Sequence, residues 1–266
     1  MNRIDQTLAN LAEQGRKALV AYVVAGDPDL DTTVPLLHDL VAAGTDIIEL
    51  GVAFSDPSAE GPIIQRAHER ALANRVGLRQ IFAMLTEFRR TDPHTPVVLM
   101  GYANPIEWLG LDAFAAAAAE AGADGALTVD LPPEEAAPLD HALRTHGLHN
   151  VFLLAPTTSP PRLHRIAQMA SGFLYYVSLK GVTGAATLDI AAVEARLAAI
   201  RAASRLPVCV GFGIKDAESA RAVARLADGV VIGSALVERL AQADSPEQGR
   251  AAVRRFLAEI RTALDS

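Results

Sequence analysis

Eight short apolar runs, each followed by a longer amphipathic segment, recur along the whole chain, and that alternation leaves few folds open. The runs are "ALVAYVVAG" (18–26), "TDIIELG" (45–51), "TPVVLMG" (95–101), "DGALTVD" (124–130), "NVFLLAP" (150–156), "GFLYYVS" (172–178), "LPVCVGFG" (206–213) and "DGVVIGS" (228–234). They are continuous instead of strictly alternating, the pattern of parallel strands covered on both faces. Between them lie helix-period stretches such as "DLDTTVPLLHDLVAAG", "LDAFAAAAAEAG" and "DAESARAVARLA". Gly44-Thr45-Asp46, Gly122-Ala123-Asp124 and Ala227-Asp228-Gly229 lead into three of the runs, and a glycine there suits a helix C-terminal cap. The expected fold is α/β, a (β/α)8 TIM barrel with an extra N-terminal helix, residues 1–266 forming one domain. A doubly wound open sheet is the alternative that the pattern alone leaves open.

At 266 residues, 50% of them hydrophobic, the chain can bury one large core. Its net charge of −7 comes from interspersed acids and bases without a basic stripe, and only 5% of residues are aromatic. Both features argue against nucleic-acid binding. Cys209 is the one cysteine, which rules out an internal disulfide and a cysteine-based metal cluster; in "LPVCVGF" it reads as an inert core residue. None of the seven histidines has a metal-ligand spacing, so surface or capping roles are expected for them and no metal site is predicted. The N-terminus lacks an apolar signal-peptide core and no run reaches bilayer-spanning length, so a cytoplasmic location without a membrane role is expected.

Barrel enzymes carry their chemistry on the loops after the C-terminal strand ends. That rule selects Glu49, in Ile-Ile-Glu-Leu-Gly, together with the 52–61 loop bearing Glu60. An inward carboxylate among apolar neighbours has a raised pKa, which suits proton transfer near neutral pH; a glutamate satisfied by backbone donors or an arginine is the competing reading. Glycines at 211, 213 and 233 stand at the ends of the last two runs, with Ser234 opening a helical segment. Loops in those two units form a recurring phosphate site in barrels, where bare backbone N–H groups approach the anion and Ser234 is expected to cap the helix. "SLKGVTGAATLD" (178–189) has the paired glycines of a loop that closes over a substrate.

"ELGVAFSDPSAEGPIIQRA", "GYANPI", "VDLPPEE", "YYVSLKGVTGA" and "GFGI" with a later "GSA" together resemble the tryptophan synthase alpha subunit family, in order and over essentially the whole chain. The resemblance implies a lyase that cleaves indole-3-glycerol phosphate to indole and glyceraldehyde 3-phosphate by a retro-aldol reaction, without a cofactor or metal in this chain. It implies that Glu49 is the general acid–base and that Glu60 holds the indole N–H. It places Tyr22, Tyr102, Leu127 and Tyr175 around the substrate, Phe212 beside it, and Gly184, Gly213, Gly233 and Ser234 at its phosphate, with Thr183 positioning Glu49. It also implies a pyridoxal-phosphate beta subunit in an alpha2beta2 heterotetramer, faced by Asp56, Pro57, Asn104, Asp130 and Pro132.

Three positions depart from the family pattern: Glu60 replaces an aspartate, Ala53 a proline and Tyr22 a phenylalanine. The extra methylene of Glu60 moves its carboxylate by roughly 1.5 Å unless the loop shifts to compensate. Two other readings stand beside the lyase. One is a catalytically weakened alpha-like subunit that only binds and activates a beta subunit. The other is a sister phosphate-binding barrel, an isomerase or an indole-forming synthase; the synthase needs lysines at strand ends, and the chain holds only Lys17, Lys180 and Lys215.

Overall fold

The computed structural model describes residues 2–177, 190–211 and 214–266. The strands are β1 (Ala18–Val24), β2 (Ile47–Gly51), β3 (Val97–Gly101), β4 (Gly125–Thr128), β5 (His149–Leu154), β6 (Leu174–Val177), β7 (Val208–Gly211) and β8 (Gly229–Ile232). They run parallel in sequence order, and β8 pairs with β1 to close a barrel. An N-terminal helix α1 (Arg3–Glu13) precedes them. The others are α2 (Leu30–Ala42), α3 (Pro62–Ala73), α4 (Leu78–Arg89), α5 (Ala103–Leu109), α6 (Leu111–Ala121), α7 (Ala137–Thr145), α8 (Pro160–Met169), α9 (Ile190–Ala203), α10 (Ala217–Ala224), α11 (Ser234–Ala241) and α12 (Pro246–Leu264). The closed barrel replaces the open-sheet alternative.

The observed strands are shorter than the apolar runs, because polar residues at their entrances have other work. Asp46, Asp124 and Asp228 stand just before β2, β4 and β8, and each turns a carboxylate back to the preceding strand. Their Oδ2 atoms accept hydrogen bonds from the backbone N–H of Leu19 (2.8 Å), Val97 (2.8 Å) and Val208 (2.9 Å). Arginines complete the sites: Arg261 lies 2.9 Å from Asp46, while Arg3 and Arg89 lie 2.7 and 3.0 Å from Asp124. Removing one member of a buried charge cluster leaves the others desolvated without compensation. Asp124→Ala is therefore expected to lower unfolding free energy by about 3–5 kcal/mol, read by urea denaturation. A loss below about 1 kcal/mol would contradict a clamping role.

Inside the barrel, Val20, Ile47, Val98, Leu127, Val151 and Cys209 form a packed plug. Ile4, Leu8 and Leu11 of α1 pack against it, and Asn2 ties the helix start to the carbonyls of Asp124 and Gly147 at the N-terminal strand ends. Burial of those three side chains contributes roughly 1.5–3 kcal/mol each. Among the described residues, one end of the barrel is thus sealed by apolar packing, and the open side is at the C-terminal strand ends. A second, larger apolar layer fills the space between strands and outer helices.

Among the described residues, three strands are followed by two helices instead of one: β2 by α3 and α4, β3 by α5 and α6, β8 by α11 and α12. The first helix of two of these pairs shapes the open end. Asp27, buried after β1, makes a two-pronged ion pair with Arg70 of α3 at 2.6 and 3.0 Å. Asn74 adds bonds to the carbonyls of Gly26 and Pro28. These fasten α3, and with it the residues on either side of Gly61, to the end of β1.

Candidate active site

A cavity of about 1160 Å³ opens at the C-terminal end of the barrel, with Glu49, Glu60, Tyr22, Tyr175, Gly233 and Ser234 in its wall. Glu49 is 1% exposed, and its Oε1 finds no hydrogen-bond partner among the described residues. Burial, reinforced by the charge of Glu60, pushes its pKa to about 8. Burial also lifts Glu60, which is half-buried, to about 7. An unpaired buried carboxylate is costly, so Glu49 is held mostly as the neutral acid at pH 7. For Oε1, the competing reading of a glutamate satisfied by backbone donors or an arginine finds no partner among the described residues.

The loop carrying Glu60 is pinned at several points. Phe54 N–H donates to Nδ1 of His68 at 3.1 Å, and Ala59 N–H donates to the Tyr102 hydroxyl at 3.1 Å. The Phe54 and Tyr102 rings stack with centroids 5.0 Å apart. Gln65 of α3 donates to the Glu60 carbonyl at 2.8 Å. Glu60 is thereby fixed one residue ahead of the Gly61 cap that starts α3. The longer side chain is accommodated in the cavity wall with Glu49.

Glycines decide how the tyrosines fit. A β-carbon at Gly51 would stand 2.7 Å from the Tyr22 hydroxyl oxygen, and one at Gly211 would collide with the Tyr175 hydroxyl. Gly211 thus makes room within β7 for a cavity side chain, beyond any turn it serves. At Gly233 a β-carbon would lie 3.2 Å from Cδ1 of Tyr22. The N-cap of α11 is Gly233, without a side-chain capping bond, and Ser234 is the first helical residue. The expected cap at Ser234 is corrected: the Gly233 carbonyl accepts from Leu236 and Val237 N–H, leaving the Ser234 side chain in the cavity wall.

Not every expected wall residue is in the wall. Leu127, 1% exposed, packs in the inner cluster that also holds the cavity-wall residues Tyr175 and Val231, and Val129 lines the opening in its strand's continuation. Tyr102, 2% exposed, holds the loop from behind. Asp130, beside Pro132 at the cavity mouth, accepts from Ala103 N–H at 2.7 Å and so secures the start of α5. Asn104 on α5 and Asp56 are exposed, with Pro57 partly so. Thr183, Gly184, Phe212 and Gly213, with the 178–187 loop, lie outside the described residues.

His68 departs from the surface role expected for the histidines. It is 2% exposed and its Nε2 lies 3.2 Å from the Tyr22 hydroxyl. The signal was available in spacing: Ile64, Ala67, His68 and Ala71 form the buried stripe of α3, an i, i+3, i+4, i+7 pattern.

This arrangement can be set beside known proteins. A family model described as tryptophan synthase alpha chain matches residues 8–265. The tryptophan synthase alpha chain of Thioalkalivibrio sulfidiphilus is 60% identical over 266 residues, covering 100% of both chains. That of Burkholderia cenocepacia (strain HI2424) is 56% identical, covering 100% of this chain and 97% of the relative. The crystal structure of tryptophan synthase subunit alpha from Legionella pneumophila str. Paris superposes with a TM-score of 0.93 at 47% identity, covering 100% of this chain and 99% of that one. With the sealed barrel and its paired cavity carboxyls, these likenesses lead to one conclusion: the chain belongs to the tryptophan synthase alpha chain family and is a lyase catalysing its alpha reaction.

Proposed function

We propose that the chain performs the retro-aldol cleavage of indole-3-glycerol phosphate with Glu49 as proton shuttle and Glu60 as the anchor of the indole N–H. The observation that carries this reading is the pair of carboxyls in one cavity, the deeper one raised to about 8 by burial and the shallower one to about 7. Protonated Glu49 gives its proton to indole C3, creating a cationic ring that ionised Glu60 stabilises through the N–H. The Glu49 carboxylate then takes the proton of the glyceryl hydroxyl next to C3. The carbon–carbon bond breaks, its electrons return to the ring, an aldehyde forms, and Glu49 is again protonated. Burial holds Glu49 as the acid that the first step needs and makes its carboxylate a ready base for the second, while Glu60, at about 7, is ionised in part of the molecules at neutral pH.

The phosphate is placed at the start of α11, where Gly233, Ser234 and Ala235 border the cavity. A helix N-terminus offers unpaired N–H groups and a partial positive charge. A beta subunit carrying pyridoxal phosphate, in an alpha2beta2 assembly, is placed on the face formed by loop 52–61, α5 and the segment from Asp130 to Pro132. Support comes from Trp108, which projects from α5 beside exposed Asn104 and is 86% exposed; exposed tryptophans are favoured anchors in protein interfaces. Residues 1–266 are read as one domain, supported by the pairing of β8 with β1 and by α12 packing on α2. A cytoplasmic location belongs to the same reading, and among the described residues no helix is long and apolar enough to cross a membrane.

The catalytic assignment is tested by the pH dependence of kcat/KM. The competent state has Glu49 protonated and Glu60 ionised, so activity should rise through about pH 7 and fall through about pH 8. The carboxyls interact, so these limbs belong to the pair. The expected profile is a narrow bell, and Glu60→Gln should remove its acid limb. A profile that stays flat from pH 6 to about 9 would contradict the assignment.

A further inference from the structure

Tyr22 and His68 form a hydrogen-bonded pair at the cavity wall that the proton chemistry above leaves unused. Nδ1 of His68 faces the backbone N–H of Phe54 at 3.1 Å, and Nε2 faces the Tyr22 hydroxyl oxygen at 3.2 Å. A backbone N–H can only donate, so Nδ1 is the acceptor and carries no proton. Burial keeps the ring neutral by drawing its pKa down to about 4. The single ring proton then lies on Nε2 and is donated to Tyr22. The tyrosine oxygen receives that bond, and its own hydrogen is left to give. Among the described residues no acceptor takes it.

The surroundings of the hydroxyl define where that hydrogen goes. The hydroxyl packs directly on the bare β2 backbone at Gly51, where a β-carbon would stand only 2.7 Å from it. The Tyr22 ring also rests on Gly233 at the start of α11, and Tyr22 stands opposite Glu49 in the β1–β2 ladder. Tyr22 therefore lies along the cavity wall with its ring base at the helix N-terminus assigned to phosphate and its hydroxyl at the β2 end, in the strand that carries the proton-shuttling carboxyl. In indole-3-glycerol phosphate the glyceryl chain covalently joins the phosphate to the indole carbon that Glu49 protonates, so its oxygens fall between those two sites. We propose that Tyr22 contacts the substrate, its hydroxyl held by the positioning residue His68 as a one-way donor to a glyceryl oxygen. The proposal rests on the placement of phosphate at α11.

The test is calorimetric titration with glycerol 3-phosphate and, separately, inorganic phosphate. Tyr22→Phe is expected to weaken glycerol 3-phosphate about threefold to tenfold, the value of one neutral hydrogen bond, and to leave inorganic phosphate within about twofold. His68→Gln keeps one acceptor for Phe54 N–H and one donor for Tyr22, and should bind like wild type. His68→Leu should lose the same factor as Tyr22→Phe, and nothing further when combined with it. Unchanged glycerol 3-phosphate affinity in Tyr22→Phe would overturn the proposal alone. So would an equal loss from His68→Leu with and without the Tyr22 hydroxyl. If His68→Leu does not fold, the Tyr22→Phe and His68→Gln pair still decides. A wild-type chain that binds neither ligand would overturn the phosphate placement, and the proposal with it.

Discussion

Glu49→Gln is expected to lower kcat by about 10²–10⁴-fold, the usual contribution of general acid–base catalysis, while the fold and glycerol 3-phosphate affinity persist. The amide matches the carboxyl in shape but neither gives nor takes a proton at neutral pH. A variant keeping more than about a tenth of wild-type kcat would exclude proton shuttling at this position. The same substitution has a signature independent of turnover. Glu49 is raised from an ordinary 4.5 to about 8 in the folded chain. Its contribution to stability is fully present below pH 4.5, declines as pH rises because the unfolded chain ionises first, and levels off above about 8. The variant should therefore gain on the wild type between pH 5 and pH 8, by an amount on the order of 3 kcal/mol. A stability difference independent of pH over that range would show that Glu49 is not held neutral by the fold.

Glu60→Gln is expected to cost roughly 2–4 kcal/mol of transition-state stabilisation, as for loss of one oriented electrostatic group. A charge-assisted bond to a ring that becomes cationic during reaction strengthens on the way to the transition state, so the loss should fall on kcat more than on KM. Glu60→Asp is the sharper comparison. Loop 52–61 is held by His68, Tyr102 and Gln65, so it cannot advance freely to compensate for a shorter acid. The aspartate variant should be slower than wild type, since a shift of about an ångström in a catalytic group can cost about a hundredfold. Full activity in Glu60→Gln would remove this residue from the mechanism.

Strand number and order were legible because continuous apolar runs are what two-sided burial demands. Strand limits were less so, since Asp46, Asp124 and Asp228 look like parts of the runs until their carboxylates are seen clamping neighbouring strands. Glu49 could be read as a lone acid at the end of an apolar strand, a position whose physical cost calls for a reason. The facing of Leu127 was also readable, but its depth was not. Periodicity tells which side of a strand faces inward and not which layer a residue occupies, and Leu127 is buried in the inner cluster beside the cavity-wall residues Tyr175 and Val231. His68 was obscured by its charged neighbours Arg66 and Glu69, although helical spacing places it with Ile64, Ala67 and Ala71. The cap of α11 depends on backbone torsions at Gly233 that residue type alone does not specify.

The most direct measurement is product formation by the purified chain from indole-3-glycerol phosphate, with and without the beta subunit from the same source. The expected result is equimolar indole and glyceraldehyde 3-phosphate from the chain alone, without added metal or cofactor. The rate should rise when the beta subunit binds, because a partner that prefers the closed cavity shifts the chain toward it. Failure to release indole under either condition, by a chain that is folded and binds glycerol 3-phosphate, would contradict the assignment of Glu49 and Glu60 to this cleavage.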